Sequence, residues 1–259
     1  MEFYFKMQSL FILTTTPYFF LLMKFFKSIV LIGLVLICGG VKADNLPSKT
    51  GVNSSIDLVS RHLWRGFNSG TAPTIEPTLE FQTGKFTAGA WGAYSFDESY
   101  QEIDLYLQYN TPLFQFSLFD FYCPAPDFSN SKFFDFDSNE SVHLFDVSAK
   151  YKGCAKFPIS IMTSVLFYGE MDRDENNDQR YSTYFEFGYS NFIGGKKFSW
   201  AMGITPFKGM YDDKMNVVNV NMTMYDKIKL SDQFSLPVRG GLTLNPVTEK
   251  LFLTFAITL

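Results

Sequence analysis

The chain has 259 residues, 18% of them aromatic, and a formal charge of −4. An acidic chain lacks the basic surface that a phosphate backbone requires, which sets nucleic acid aside as a partner. Its three cysteines form no CxxC or Cys/His grouping, which excludes a disulfide scaffold and a zinc site.

The N-terminal part reads as a targeting segment. From Met23 the text is MKFFKSIVLIGLVLICGGVKADN. Lys24 and Lys27 form a basic n-region, 28–38 an apolar h-region, and Val41-Lys42-Ala43 a small-residue cleavage site before Asp44. The expected boundaries are therefore 1–43 for an N-terminal extension plus signal peptide, with Met23 as the start, and 44–259 for the mature domain. A transmembrane hairpin built from 1–22 and the h-region is disfavoured, because the upstream run is short for a span. Lipid attachment at Cys38 is disfavoured by Ile37 before it. Cleavage removes Lys6, Lys24, Lys27, Lys42 and Glu2, which takes the formal charge from −4 to −7.

After Cys38 no apolar run approaches the length of a membrane helix. A closed β-barrel is the other permitted way through a bilayer. Twelve strands are predicted, at 54–65, 74–82, 85–96, 100–109, 113–122, 141–152, 157–168, 181–190, 197–207, 215–227, 234–244 and 247–259. Most are about ten residues long, which suits a tilted membrane strand. The fourth alternates most clearly: Ile103, Leu105, Leu107 and Tyr109 face one way, Glu102, Asp104, Tyr106 and Gln108 the other. The second sets Ile75, Pro77, Leu79 and Phe81 against Glu76, Thr78, Glu80 and Gln82. Asp120 breaks the alternation of the fifth.

Connection lengths alternate as well. CPAPDFSNSKFFDFDSNE, GEMDRDENNDQR and KGMYDDK follow odd-numbered strands, whereas the short turns QTGK, NTP, KGCAK and LSDQ follow even-numbered ones. Outer-membrane barrels keep this phase, with short periplasmic turns and longer outer loops. The short link Leu244-Asn245-Pro246 is the exception. The last strand, KLFLTFAITL, is expected to pair with the first and so remove the open edge. The fold class expected is an all-β, antiparallel, up-and-down transmembrane barrel of twelve strands. Cys123 and Cys154 would then lie at opposite ends of it, too far apart to form a disulfide.

SRHLWRGF, IEPTLEF, FTAGAWGAYS, YQEIDLYLQY and LPVRGGLTLNPVTEKLFLTFAIT, in this order, resemble the TorF-like porins of the Gram-negative outer membrane. Trp64-Arg65-Gly66 and Glu102-Ile103-Asp104 are the most specific pieces; His62 and the non-aromatic terminal Leu259 depart from the pattern. The resemblance implies an integral outer-membrane barrel, in contact with membrane lipid, lipopolysaccharide and the barrel-assembly machinery. It implies no cofactor and names neither a solute nor an oligomeric state.

Extending the alternation places Asp57, Arg61, Arg65, Glu76, Glu80, Glu102, Asp104, Asp146, Lys150, Glu186, Arg239 and Lys250 in the lumen. Two readings stay open. The charges can line a narrow selective pore, or pair into a plug, since an unpaired buried ion costs several kcal/mol. Arg61 and Arg65 with Glu102 and Asp104 are the group expected to matter in either case.

Asn139, Ser141 and His143 share one face and contain the residue types of a lipid-hydrolysing barrel enzyme, with histidine as base to serine. No partner on a neighbouring strand is identifiable, and the bland alternative is an interfacial histidine beside a loop. His62 is likewise expected at the interface, beside Trp64. In DRDENND, Asp172, Asp174, Asn176 and Asp178 have the spacing of half a calcium loop. Asn177 and Thr183 occupy the positions that need glycine and glutamate, so an EF-hand is excluded and a solvated acidic loop expected.

Overall fold

A computed structural model describes residues 50–125, 131–137 and 141–259. The targeting segment expected at 1–43 and the candidate Asn139 lie outside these residues. The described residues of Ala43–Gly153 and Pro158–Leu259 belong to one compact unit; in the other, the described turn Cys154–Phe157 closes on itself through an antiparallel bridge.

The strands are β1 (Gly51–Val59), β2 (His62–Trp64), β3 (Phe67–Ser69), β4 (Thr74–Thr83), β5 (Phe86–Ser95), β6 (Gln101–Asn110) and β7 (Phe114–Tyr122). They continue as β8 (His143–Tyr151), β9 (Ile159–Tyr168), β10 (Thr183–Ile193), β11 (Lys196–Thr205), β12 (Asn216–Lys229), β13 (Ser235–Asn245) and β14 (Lys250–Thr258). β1 and β4 to β14 form a closed antiparallel barrel of twelve strands, each beside its neighbour in sequence. β1 closes the ring by pairing β4 on one side and β14 on the other, and Leu259 exchanges backbone hydrogen bonds with Ile56 in that seam. The all-β up-and-down barrel expected from alternation is therefore present.

The side-chain period of two divides every wall strand between lumen and exterior. On β4, Glu76 is buried while Leu79 and Phe81 are exposed. On β6, Glu102 and Asp104 are buried while Leu105 and Leu107 are exposed. On β14, Leu251, Leu253 and Phe255 are exposed and Ala256 is buried. The exterior is thus a continuous display of large apolar residues, with Leu253 83% exposed. The hydrophobic core is inside the barrel, toward its loop end: Phe121, Leu144, Leu166, Tyr184, Tyr211 and Val218, with Trp64 and Phe67 packed against them.

Trp64 and Phe67 mark the main departure from the expected strands. The first strand, expected over 54–65, ends at Val59. The chain then turns away from the wall, and β2 and β3 pair only with each other, through His62↔Ser69, Leu63↔Asn68 and Trp64↔Phe67. Arg65 and Gly66 at the tip have φ of 50° and 86°, the two positive values a type I′ hairpin turn demands. The hairpin points into the lumen, where Asp146, Tyr211 and Asn245 hold its tip. A Cβ on Gly66 would lie 2.2 Å from the carbonyl oxygen of Val218, so only glycine lets this backbone lie against β12.

Candidate functional site

The hairpin builds the interior. Trp64 packs edge-on to Phe121 of β7, with ring centroids 5.8 Å apart, and lies 5.7 Å from Tyr211. Arg65 reaches the opposite wall, donating to Asp146 of β8 at 2.9 Å and to the Tyr211 hydroxyl. Its guanidinium lies over the rings of Trp64 and Tyr184, at 4.5 and 4.9 Å from their centroids. On β13, Asn245 donates to the Gly66 carbonyl at 3.3 Å while its own carbonyl oxygen accepts from Val247 and Thr248. The short link after β13, exceptional by length, is thus a turn held by Asn245, and it also clasps the hairpin tip.

His62 secures the other flank. Its Nδ1 is 2.8 Å from Glu76 of β4, its Nε2 3.8 Å from Glu102 of β6, and its ring stacks on Tyr100 and approaches Trp91. The interfacial position expected for His62 is therefore replaced by a buried one inside the barrel. The cause is the hairpin, which turns the end of the expected first strand inward.

Of the charges expected in the lumen, most sit there but with different partners. Asp146 is 1% exposed and holds Arg65 and the Ser164 hydroxyl. Asp57 pairs with Arg239 at 2.7 Å and accepts from Thr258 across the closing seam. Glu80 accepts from Tyr106, Glu186 from Tyr184, and Glu102 from Tyr100 and the Cys123 thiol. Asp104 is buried with no partner for its Oδ1. Lys150 keeps its inward register on β8 and is half-buried; Lys250 is exposed at the start of β14. Arg61 sits on the hairpin's approach and donates to Asn68 at 3.1 Å. The grouping of Arg61 and Arg65 with Glu102 and Asp104 is corrected. Once the chain leaves β1 at Val59, Arg65 is carried across to Asp146 and His62 takes the place beside Glu102.

Two cavities flank the hairpin and share no lining residue. One, of about 240 Å³, is polar and lined by Arg61, Glu76, Arg239, Thr223, Thr243 and Thr254 among others. The other, of about 270 Å³, lies among aromatic residues at the loop end and includes Trp64, Tyr100, Glu102 and Tyr211. The hairpin lines both, so it partitions the interior.

On the outer face, His143 of β8 is wholly buried beneath loop residues Phe133 and Phe136. Its Nδ1 is 2.7 Å from Asp120 of β7 and its Nε2 2.8 Å from the Phe133 carbonyl. The Ser141 hydroxyl accepts from the backbone N–H of His143, at 3.1 Å. The nitrogen that would take a serine proton is occupied, so Ser141 and His143 do not form a nucleophile–base pair. Asp120 is the partner that sequence reasoning missed. Its break in the alternation of β7 was the available signal, since an acid on an apolar face needs a nearby donor.

The acidic loop ties itself together. The Asp174 carboxylate accepts the backbone N–H groups of Asn176 and Asp178, both at 2.9 Å, and these bonds hold its carboxyl below the usual carboxylate range. Asp172 is buried, accepting from Ser182 and Gln179. Cys123, just past the end of β7, is a free thiol, so the expected absence of a bridge to Cys154 holds. Burial, then the Glu102 and Asp104 carboxylates, push that thiol well above its ordinary value.

No family model matches the chain, and no curated protein does. A solved chain described under "Unveiling the Mechanism Behind the in-meso Crystallization of Membrane Proteins" is similar at 10% identity. It covers 82% of this chain and 83% of its own, with a TM-score of 0.42. A superposition that loose carries no argument, and the fold stands on this chain's own strand pairing.

Proposed function

We propose that the protein is an integral outer-membrane barrel of porin type, related to the TorF-like porins its segments resemble, whose passage for ions or small solutes is closed by the β2–β3 hairpin. A closed barrel with large apolar side chains outside and polar ones inside matches the bilayer as solvent. Membrane lipid and lipopolysaccharide would cover Leu79, Leu107, Leu253 and their neighbours. The observation that carries the reading is the hairpin crossing the lumen from Glu76 on one wall to Asp146 on the other. The polar cavity beside it, with Arg61, Glu76 and Arg239, would form part of the pathway once the hairpin moves.

The test is planar-bilayer recording of the purified protein beside a variant in which residues 61–72 are replaced by a short Gly-Ser linker. The native barrel should be quiet or conduct only in brief, small steps, and the variant should conduct steadily. A large steady conductance in the native protein would refute closure by the hairpin. Silence in both would favour a plugged structural barrel. Hydrolysis of phospholipid or lipid A by the native protein would instead indicate an enzyme.

A further inference from the structure

The loop-end cavity has a chemistry of its own. Its walls include the aromatic faces of Trp64 and Phe67 from the hairpin, Phe121 from β7, and Tyr211 from the segment between β11 and β12. Tyr100 and Glu102 complete one side, and Glu102 is the single charged residue of the lining. The volume, about 270 Å³, is close to the lower limit of small-molecule pockets, about 300 Å³, and suits one ring with a short chain.

Charge decides what such a molecule would carry. Glu102 accepts from the Tyr100 hydroxyl at 2.6 Å on one oxygen and from the Cys123 thiol at 3.5 Å on the other. An ionised carboxylate offers about four acceptor sites, so capacity remains. Behind Glu102 stands Glu76, 2.8 Å from His62. These two acids face one imidazole, which supplies at most one positive charge. Arg65 does not redress the balance, because its charge is matched by Asp146 and it does not line the cavity. A buried negative excess behind a wall of ring faces favours a cation with an apolar body, since aromatic quadrupoles attract positive charge as well.

The geometry points to a binding site for a small arylalkylamine in this cavity, its ring between Trp64, Phe67 and Phe121 and its ammonium on Glu102. The site needs the hairpin seated in the lumen but needs no conduction. Its failure and a failure of the porin reading are therefore separately visible.

The experiment is equilibrium dialysis of the purified protein in detergent against three matched probes, phenethylamine, 2-phenylethanol and 3-phenylpropionate, with empty micelles subtracted. Trp64 fluorescence, in a Trp91→Phe, Trp200→Phe background, serves as a local reporter. Phenethylamine should saturate and bind at least about ten-fold more tightly than the alcohol, with the carboxylate weakest. Glu102→Gln should abolish the preference for the amine over the alcohol. Met210→Trp, which fills the cavity from the loop side, should abolish saturable binding of both while the folded band persists on unheated gels. The proposal fails if amine and alcohol bind equally to the native protein, or if the amine does not saturate. It also fails if the amine preference survives Glu102→Gln or if binding survives Met210→Trp.

Discussion

Removing the Arg65 side chain would leave Asp146 buried, with the Ser164 hydroxyl as its remaining donor. Truncating one member of a buried ion pair costs about 3–5 kcal/mol, because the other charge stays desolvated, whereas replacing both by apolar residues is often neutral. Arg65→Met and Asp146→Leu should therefore each destabilise the barrel by about that amount in urea unfolding, and the double variant should recover most of the loss. Additive losses in the double variant would mean that the two residues act independently. The sequence placed both residues in the lumen but not against each other, since nothing local to WRGF specifies which wall an arginine reaches. Asp120 and His143 make the same point on the outside. Each residue was visible as an anomaly, yet their bond crosses from β7 to β8.

At the level of elements, β14 is the strand whose faces are easiest to test. Phe255 is exposed on the outer face, while the Thr254 hydroxyl points inward and donates to the Gly241 carbonyl of β13. Lysine at Phe255 should cost roughly 2–4 kcal/mol in a bilayer, whereas lysine at Thr254 can be hydrated or paired inside. The strand cannot relieve the first by slipping one residue, because that would turn over every other side chain. On unheated gels Phe255→Lys should lose folded, heat-modifiable barrel far more than Thr254→Lys. Equal tolerance would remove the bilayer from the outer face. The β2–β3 hairpin is an element of another kind. Its three-residue strands are too short to be stable alone, and its place depends on packing against Phe121, Tyr211 and Asn245.

For the whole molecule, the hydrogen-bonded ring is complete without the hairpin, because β2 and β3 contribute nothing to its ladder. Replacing residues 61–72 by a linker, with Asp146→Ser to avoid an orphaned acid, should therefore leave a folded barrel on unheated gels. It should also open the lumen to water beside Trp91, the remaining inward-facing tryptophan, read as a red shift of its emission. A variant that never shows the folded band would mean that the hairpin is part of the folding nucleus rather than an occupant of a finished barrel.

The sequence by itself determined that the chain makes twelve antiparallel strands, which face of most of them is apolar, and where the long and short connections fall. Those properties are local: a period of two and a turn signal are written within ten residues. The tertiary structure alone decided that the expected first strand breaks at Val59 and that Trp64-Arg65-Gly66 crosses the lumen. The turn signal there, Gly66, is legible in retrospect. Its direction is not, because it is chosen by partners far along the chain, Asp146, Tyr211, Val218 and Asn245. Burying an arginine and two aromatic rings becomes favourable only where that wall already supplies a carboxylate, ring faces and a backbone close enough to admit only glycine.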